Sequence, residues 1–291
     1  MSAGPGGDVG ACSPPMKPVI RLGVAQIACT ADRHHNLDLH RAAVSEARDR
    51  GIDLLVFPEL SVTGYRTVPE LPGAACTAAD LVELGRDIAV LAGFIEAGRP
   101  GLFHNAAALL RDGRVVGCHA KLNLPTYGGL EEGKHYASGH RLDLVEALPG
   151  WPAATLICAD AWNPALPWLA ALKGAALLLL PIASARGAVG GDFDNPGGWD
   201  VTLRHIAMTY GLPLAMANHC GRRGDLDFWG GSRILDPFGR CLAQAGEGPE
   251  IIQADIALAD IAAARHRLPT MRDAAPLTVQ ALLADSLRDL R

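Results

Sequence analysis

Aromatic residues are scarce in this chain, 5% of 291 positions. A hydrophobic core must therefore be assembled mostly from Ala, Leu, Val and Ile. Positive charge is not in excess either: 26 Lys and Arg stand against 31 Asp and Glu, a formal net charge of −5. Nucleic-acid binding, which draws on a basic face, is disfavoured on that ground. No Cys-x-x-Cys pair occurs among the seven cysteines, at 12, 29, 76, 118, 158, 220 and 241. Zinc ribbons and thioredoxin-type sites lose their usual signature with it. An odd, scattered cysteine set in a chain long enough to build its own core speaks against a disulfide framework and for a reducing, cytoplasmic setting. The longest apolar run, AALLLLPIA at 175–183, is far short of a bilayer span and has the length of a buried strand. The Gly/Pro/Ser-rich opening, residues 1–18, lacks the apolar stretch of a secretory signal and reads as a disordered leader.

What is present is ordinary for a soluble enzyme: 49% hydrophobic and 20% charged residues. The length permits one large α/β domain or two small ones. No internal repeat and no Gly/Ser linker divides the chain. Strand and helix patterns alternate. Val19–Ile27, Asp53–Phe57, Ile88–Glu96, Ala175–Pro181, Pro213–Asn218 and Ile251–Asp255 read as strands, and Thr155–Cys158 as a strand end. Asn36–Arg50, with Asn36 as cap, Ala78–Asp87, Pro164–Lys173, Trp199–Tyr210 and the tail from Ala274 read as helices. Asp112-Gly113 between Asn105–Leu110 and Arg114–His119 signals a hairpin. Asp236-Pro237-Phe238-Gly239 signals another, between Ser232–Leu235 and Arg240–Gln244. Fully apolar strands need cover on both faces, so the pattern predicts mixed sheets with helices outside.

Three segments carry candidate chemistry. In Val56-Phe57-Pro58-Glu59-Leu60, followed by Thr63-Gly64-Tyr65, a carboxylate stands just past a buried apolar strand, where α/β folds place their sites. Taken singly, such a glutamate is more often a solvated charge. In the stretch His119–Glu132, Lys121 leaves a hairpin strand and enters a Pro/Gly-rich loop ending in two adjacent acids, Glu131 and Glu132. By itself that is an ordinary surface loop. In Thr155–Pro164, Cys158 sits where an apolar strand turns toward a helix, in the manner of a nucleophile elbow. A lone cysteine there is more often a core thiol.

The order and context of all three segments resemble the catalytic signatures of the nitrilase superfamily of carbon–nitrogen hydrolases, over about residues 19–270. Further matches are Leu22-Gly23-Val24-Ala25-Gln26, Phe103-His104-Asn105, Ser138-Gly139, Asn218 to Gly221 and Gly231 to Gly239. The resemblance implies a four-layer α-β-β-α sandwich of two mixed sheets, with a C-terminal helical tail at 271–291. It implies Cys158 as nucleophile, Glu59 as base and Lys121 as oxyanion partner, with the backbone N–H of Ala159 as second donor. It also implies a second acid, placed at Glu132 because Glu132 lies four residues before Tyr136. Tyr65, Ala159 and Trp162 are assigned to the substrate. The implied reaction is attack on a small linear amide, loss of ammonia, a thioester and hydrolysis, with no cofactor and no metal. Homodimers or larger assemblies, with Pro164–Lys173 and the tail beyond Arg265 at contacts, are implied as well.

Cys158 to Pro164 and Leu124 to Gly128 also resemble the glutaminase domain of glutamine-dependent NAD synthetases, without room here for a synthetase domain. Asn163-Pro164-Ala165 stands where several subfamilies have Phe-Pro-Glu. The absence of arginine just after Cys158 disfavours carbamoyl amino acids. Asp192 and Asp194 are candidates for a cationic group, with a solvated turn as the plainer reading. Nitrile or N-carbamoyl hydrolysis, a non-catalytic scaffold, acyl transfer to a membrane substrate, and a zinc hydrolase built around His34-His35 and His40 are the rival readings. No Asp, Glu or Cys spacing completes the zinc site.

Overall fold

The computed structural model describes residues 16–65, 70–191 and 193–289. Two six-stranded mixed sheets stack face to face. The first runs β14 (Glu250–Ala257), β1 (Val19–Gln26), β2 (Leu54–Val56), β3 (Ala89–Ala97), β4 (Phe103–Arg111), β5 (Arg114–Ala120). The second runs β13 (Cys241–Gln244), β12 (Arg233–Leu235), β9 (Leu214–Ala217), β8 (Leu177–Pro181), β7 (Trp151–Thr155), β6 (Leu144–Leu148). In each, three parallel strands form the centre and antiparallel strands flank them. A small hairpin, β10 (Cys220–Arg223) and β11 (Leu226–Trp229), stands apart.

The period of two along each strand sorts the layers. Leu54 and Val56 of β2 point into the space between the sheets and meet Leu177 and Leu179 of β8 there. Leu55 and Phe57 point outward, against Val44 and Ala47 of α1 (Arg33–Asp49). Leu178 and Leu180 point the other way, against Trp199, Leu203 and Ile206. The small turn α2 (Leu71–Ala74) precedes β3, α3 (Ala165–Leu172) and α4 (Asn195–Tyr210) cover the second sheet, and α5 (Leu258–Arg267) follows β14. The result is the expected four-layer sandwich. The last helix, α6 (Pro276–Asp289), leaves Leu277, Leu282, Leu283 and Leu287 exposed. Among the described residues no helix is long and apolar enough to cross a membrane.

Several boundaries differ from expectation for identifiable reasons. Asp32 caps α1, accepting from His34 N at 2.9 Å. Asn36 is buried inside the helix, and its Nδ2 donates to Thr30 O and Val62 O. Ala78–Gly85 is a 3-10 helix, opened by Thr77 with Asp80 bonded back to it. The second sheet's strand β7 stops at Thr155, so Cys158 opens a 3-10 turn rather than ending a strand. The hairpins β6–β7 and β10–β11 and helix α5 were not anticipated, although Pro149-Gly150 and Gly224-Asp225 are turn signals. Of the leader expected at 1–18, residues 1–15 lie outside the described residues. Lys17 and Pro18 are tied down, their carbonyls accepting from Trp151 Nε1 at 2.8 Å and Leu258 N at 3.0 Å.

The hairpin β4–β5 shows the expected chemistry. Asp112 and Gly113 both take positive φ, 54° and 66°, the geometry that lets a two-residue turn follow the twist of its strands. Gly93 of β3 is required for a different reason. The chain passes from β2 through Pro58-Glu59-Leu60, and Leu60 takes a strained φ of 52°. A Cβ on Gly93 would lie 2.4 Å from Leu60 N and 2.6 Å from Pro58 O. Gly93→Ala is expected to cost about 1–3 kcal/mol in denaturant unfolding, while Gly73→Ala, where nothing lies within 4 Å, leaves the midpoint unchanged.

Candidate active site

The candidate residues come from strand ends of both sheets. Glu59 follows β2, Lys121 follows β5, and Cys158 follows β7. Glu132 opens a short 3-10 turn in the loop after Lys121. These four are brought together. Lys121 is fully buried. Its Nζ donates to Glu59 Oε1 at 2.6 Å and to Glu132 Oε1 at 2.9 Å. Tyr65 OH donates to Glu132 Oε1 at 3.3 Å. Glu131 lies at the surface and pairs with Lys134 at 2.6 Å.

Burial alone would push the Lys121 ammonium down, but Glu132 and Glu59 together hold it well above its ordinary value. Burial raises Glu132 to about 7, with Lys121 pulling against it and Glu59 adding to it. Burial and then the Glu59 carboxylate push the Cys158 thiol up, against the pull of Lys121. The resting thiol is therefore protonated. Cys158 takes φ 47°, a left-handed conformation that costs a non-glycine residue energy and turns up at functional turns.

Three residues that the sequence reading gave no role hold this arrangement. Asn105 Nδ2 donates to Glu59 Oε1 at 2.7 Å, leaving the buried Oε2 without a hydrogen-bond partner among the described residues. His219 Nε2 bonds the Glu59 carbonyl oxygen at 2.6 Å. Burial lowers the His219 imidazole to about 4, so it is neutral and donates there. Asp160 is fully buried and joins the loops that carry Lys121 and Cys158. Its Oδ1 accepts from Leu122 N at 2.9 Å, Asn123 N at 2.7 Å and Asn123 Nδ2 at 3.2 Å. Its Oδ2 accepts from Ile157 N at 3.0 Å and faces His119 Nε2 at 3.0 Å. An acid in the first turn of the segment that Cys158 opens was the available signal.

A cavity of about 220 Å³ opens on Cys158. Tyr65, Ala159 and Trp162 line it, as do Tyr127, Phe193 and Trp199. Asp194 instead caps α4 through Gly197 N at 3.2 Å, and Asp192 lies outside the described residues. A larger cavity, about 310 Å³, lies against β5 near His104 and Cys118. None of Glu59, Lys121, Glu132 or Cys158 lines it, whereas Glu132 and Cys158 line the smaller one. His40, named in the rival zinc reading, is buried and bonds Asn36 O and Ser61 Oγ. Among the described residues no group of three or more His, Cys, Asp or Glu is placed to hold a metal ion.

The model of the carbon–nitrogen hydrolase family matches residues 21–266. The chain belongs to the carbon–nitrogen hydrolase family. Glutamine-dependent NAD(+) synthetase from Thermotoga maritima is 30% identical over 238 residues, covering 77% of this chain and 39% of that protein. This family member thus spans about two fifths of the synthetase's length. Among solved structures, a carbon–nitrogen hydrolase from Helicobacter pylori G27 superposes with TM-score 0.80 at 25% identity, covering 91% of this chain and 98% of that one. A glutamate-to-leucine variant of the amidase from Nesterenkonia sp. AN1 superposes with TM-score 0.76 at 27% identity, covering 90% and 97%. In that variant the acetamide moiety of fluoroacetamide is covalently added at the active-site cysteine. The sandwich described above is the nitrilase-superfamily fold.

Two expectations follow from the site. Asp160→Asn places an amide N–H₂ where a buried carboxylate now accepts, and is expected to cost about 1–3 kcal/mol in thermal unfolding while lowering any turnover at least tenfold. Glu132 supplies a pH test. Its folded value, about 7, lies above the ordinary 4.5, so the folded state holds a proton that the unfolded state has released. The stabilisation is full below 4.5 and is lost as pH rises through 7. Unfolding of wild type and Glu132→Gln from pH 4.5 to 8 is expected to show the wild type losing on the order of 3 kcal/mol relative to the variant.

Proposed function

We propose that the chain hydrolyses a small linear amide at Cys158, releasing ammonia and a carboxylate through a thioester. The observation that carries this reading is the Lys121 ammonium held between Glu59 and Glu132 beside a strained cysteine at the floor of a cavity.

The geometry supports the following sequence of steps. Glu59 Oε2, buried and without a hydrogen-bond partner among the described residues, accepts the thiol proton as Cys158 Sγ bonds to the amide carbon. Proton transfer is coupled to attack because burial disfavours a standing thiolate. Negative charge builds on the substrate oxygen. Lys121 Nζ supplies a fixed positive charge there, and the Ala159 N–H, in the first turn of the 3-10 segment, supplies a second donor. The tetrahedral intermediate collapses, the C–N bond breaks, and Glu59 returns its proton to the leaving ammonia. Glu59 then takes a proton from water as that water attacks the thioester, and Cys158 leaves as the thiol. Glu132 carries no proton in these steps; it fixes Lys121, and Tyr65 fixes Glu132. The fluoroacetamide adduct at the active-site cysteine of the Nesterenkonia amidase variant supports the nucleophile.

Ammonia release from short amides is expected to fall at least a thousandfold in Cys158→Ala, and fluoroacetamide is expected to leave a mass adduct on Cys158 of Glu59→Leu, as on the glutamate-to-leucine variant of the Nesterenkonia amidase. Turnover surviving in Cys158→Ala, or an adduct confined to another cysteine, overturns the reading.

A further inference from the structure

Three polar side chains that line the cavity above Cys158 already have partners within the protein. Ser184 Oγ accepts from Trp229 Nε1 at 3.0 Å. Asn195 Nδ2 donates to Ala185 O. Glu132 is committed to Lys121 and Tyr65. Apart from Glu132, no Asp, Glu, Lys, Arg or His among the described residues lines the cavity. The wall away from Glu132 is aromatic. Trp162 packs edge-on against Trp199 at 5.1 Å and Phe193 at 6.0 Å, yet it stays 38% exposed. An indole locked by two neighbours and left partly bare offers a rigid apolar surface to a bound group.

We infer that this site selects an uncharged, apolar acyl group, a branched alkyl chain or a single ring carried on a short linker to the amide. The inference rests on the amidase reading for the position of the amide itself. The volume, about 220 Å³, exceeds the roughly 150 Å³ in which a dry apolar cavity holds benzene, leaving space for a short linker. A substrate carboxylate placed against Trp162 and Phe193 would lose its water without gaining a partner among the described residues, and an ammonium there would exchange full hydration for ring faces alone. Glutamine, which carries both, fits this chemistry poorly despite the similarity to NAD synthetases. Each methylene that reaches the aromatic wall is expected to raise kcat/KM about fourfold.

The test is kcat/KM for ammonia release across acetamide, hexanamide, 3-phenylpropanamide, 5-aminopentanamide, glutaramate and glutamine. Calorimetric binding of the same set to Cys158→Ala runs beside it. The expected result ranks hexanamide and 3-phenylpropanamide at least tenfold above each charged compound, in turnover and in binding. Trp162→Ala is expected to collapse the preference for 3-phenylpropanamide over acetamide at least tenfold, and Trp162→Phe to restore most of it. A charged compound that equals or beats the apolar ones, with fluoroacetamide still labelling Cys158, overturns the inference and leaves the amidase reading standing. No ammonia and no adduct, with the apolar amides still binding best, removes the amidase reading and keeps the apolar selection. Equal binding of all six overturns the inference whatever the turnover.

Discussion

One ammonium group buried between two carboxylates sets the terms for the rest of the molecule. Lys121, Glu59 and Glu132 set two acids against one cation in a buried place. Such a cluster is tolerated only when the geometry is tight and the remaining oxygens are supported. The surroundings meet that demand. Asn105 and His219 hold Glu59 at its side chain and its backbone, Tyr65 holds Glu132, and Asp160 fixes the backbone just after Lys121. Burial first, and then the Glu59 charge, keeps the Cys158 thiol protonated at rest, so the surroundings that burden the fold also restrain this thiol.

The fold makes the cluster affordable by placing it at strand ends. Residues inside the strands pair their backbone with neighbours and their side chains with apolar partners. Just past the ends of β2, β5 and β7 the chain is released from both constraints, and there it takes unusual conformations, at Leu60 and at Cys158. Gly93, without a side chain, lets the Glu59 turn sit directly on β3. Rigid sheets and strained loops are thus parts of one device, the first supplying the stability that the second consumes.

Much of this could be read from the residues. The buried strands announced themselves by continuous apolar runs, and their ends marked where Glu59, Lys121 and Cys158 would stand. The family resemblance then joined three segments that periodicity could not join. What stayed hidden shares one property: it depends on which segments meet. Asp160 was visible two residues after Cys158, but nothing in its neighbours shows that it accepts from Leu122 and Asn123, some forty residues earlier. Asn105 lay in a stretch already matched to the family, but its bond to Glu59 spans forty-six positions. His219 reaches across 160 positions. The hairpin β10–β11 was missed for the opposite reason. Its strands are short and carry Arg222, Arg223 and Asp227, so neither apolar run nor alternation marks them.

The split origin of the cluster has a consequence for the life of the chain. Glu59 and Lys121 belong to one sheet and Cys158 to the other. While the polypeptide is being made, the acid and the cation emerge first, and the thiol follows with neither beside it. Until the two sheets dock, Cys158 is an ordinary cysteine, and whatever reactivity it owes to Glu59 and Lys121 begins with docking. The meeting of these three side chains therefore comes only with the closing of the sandwich.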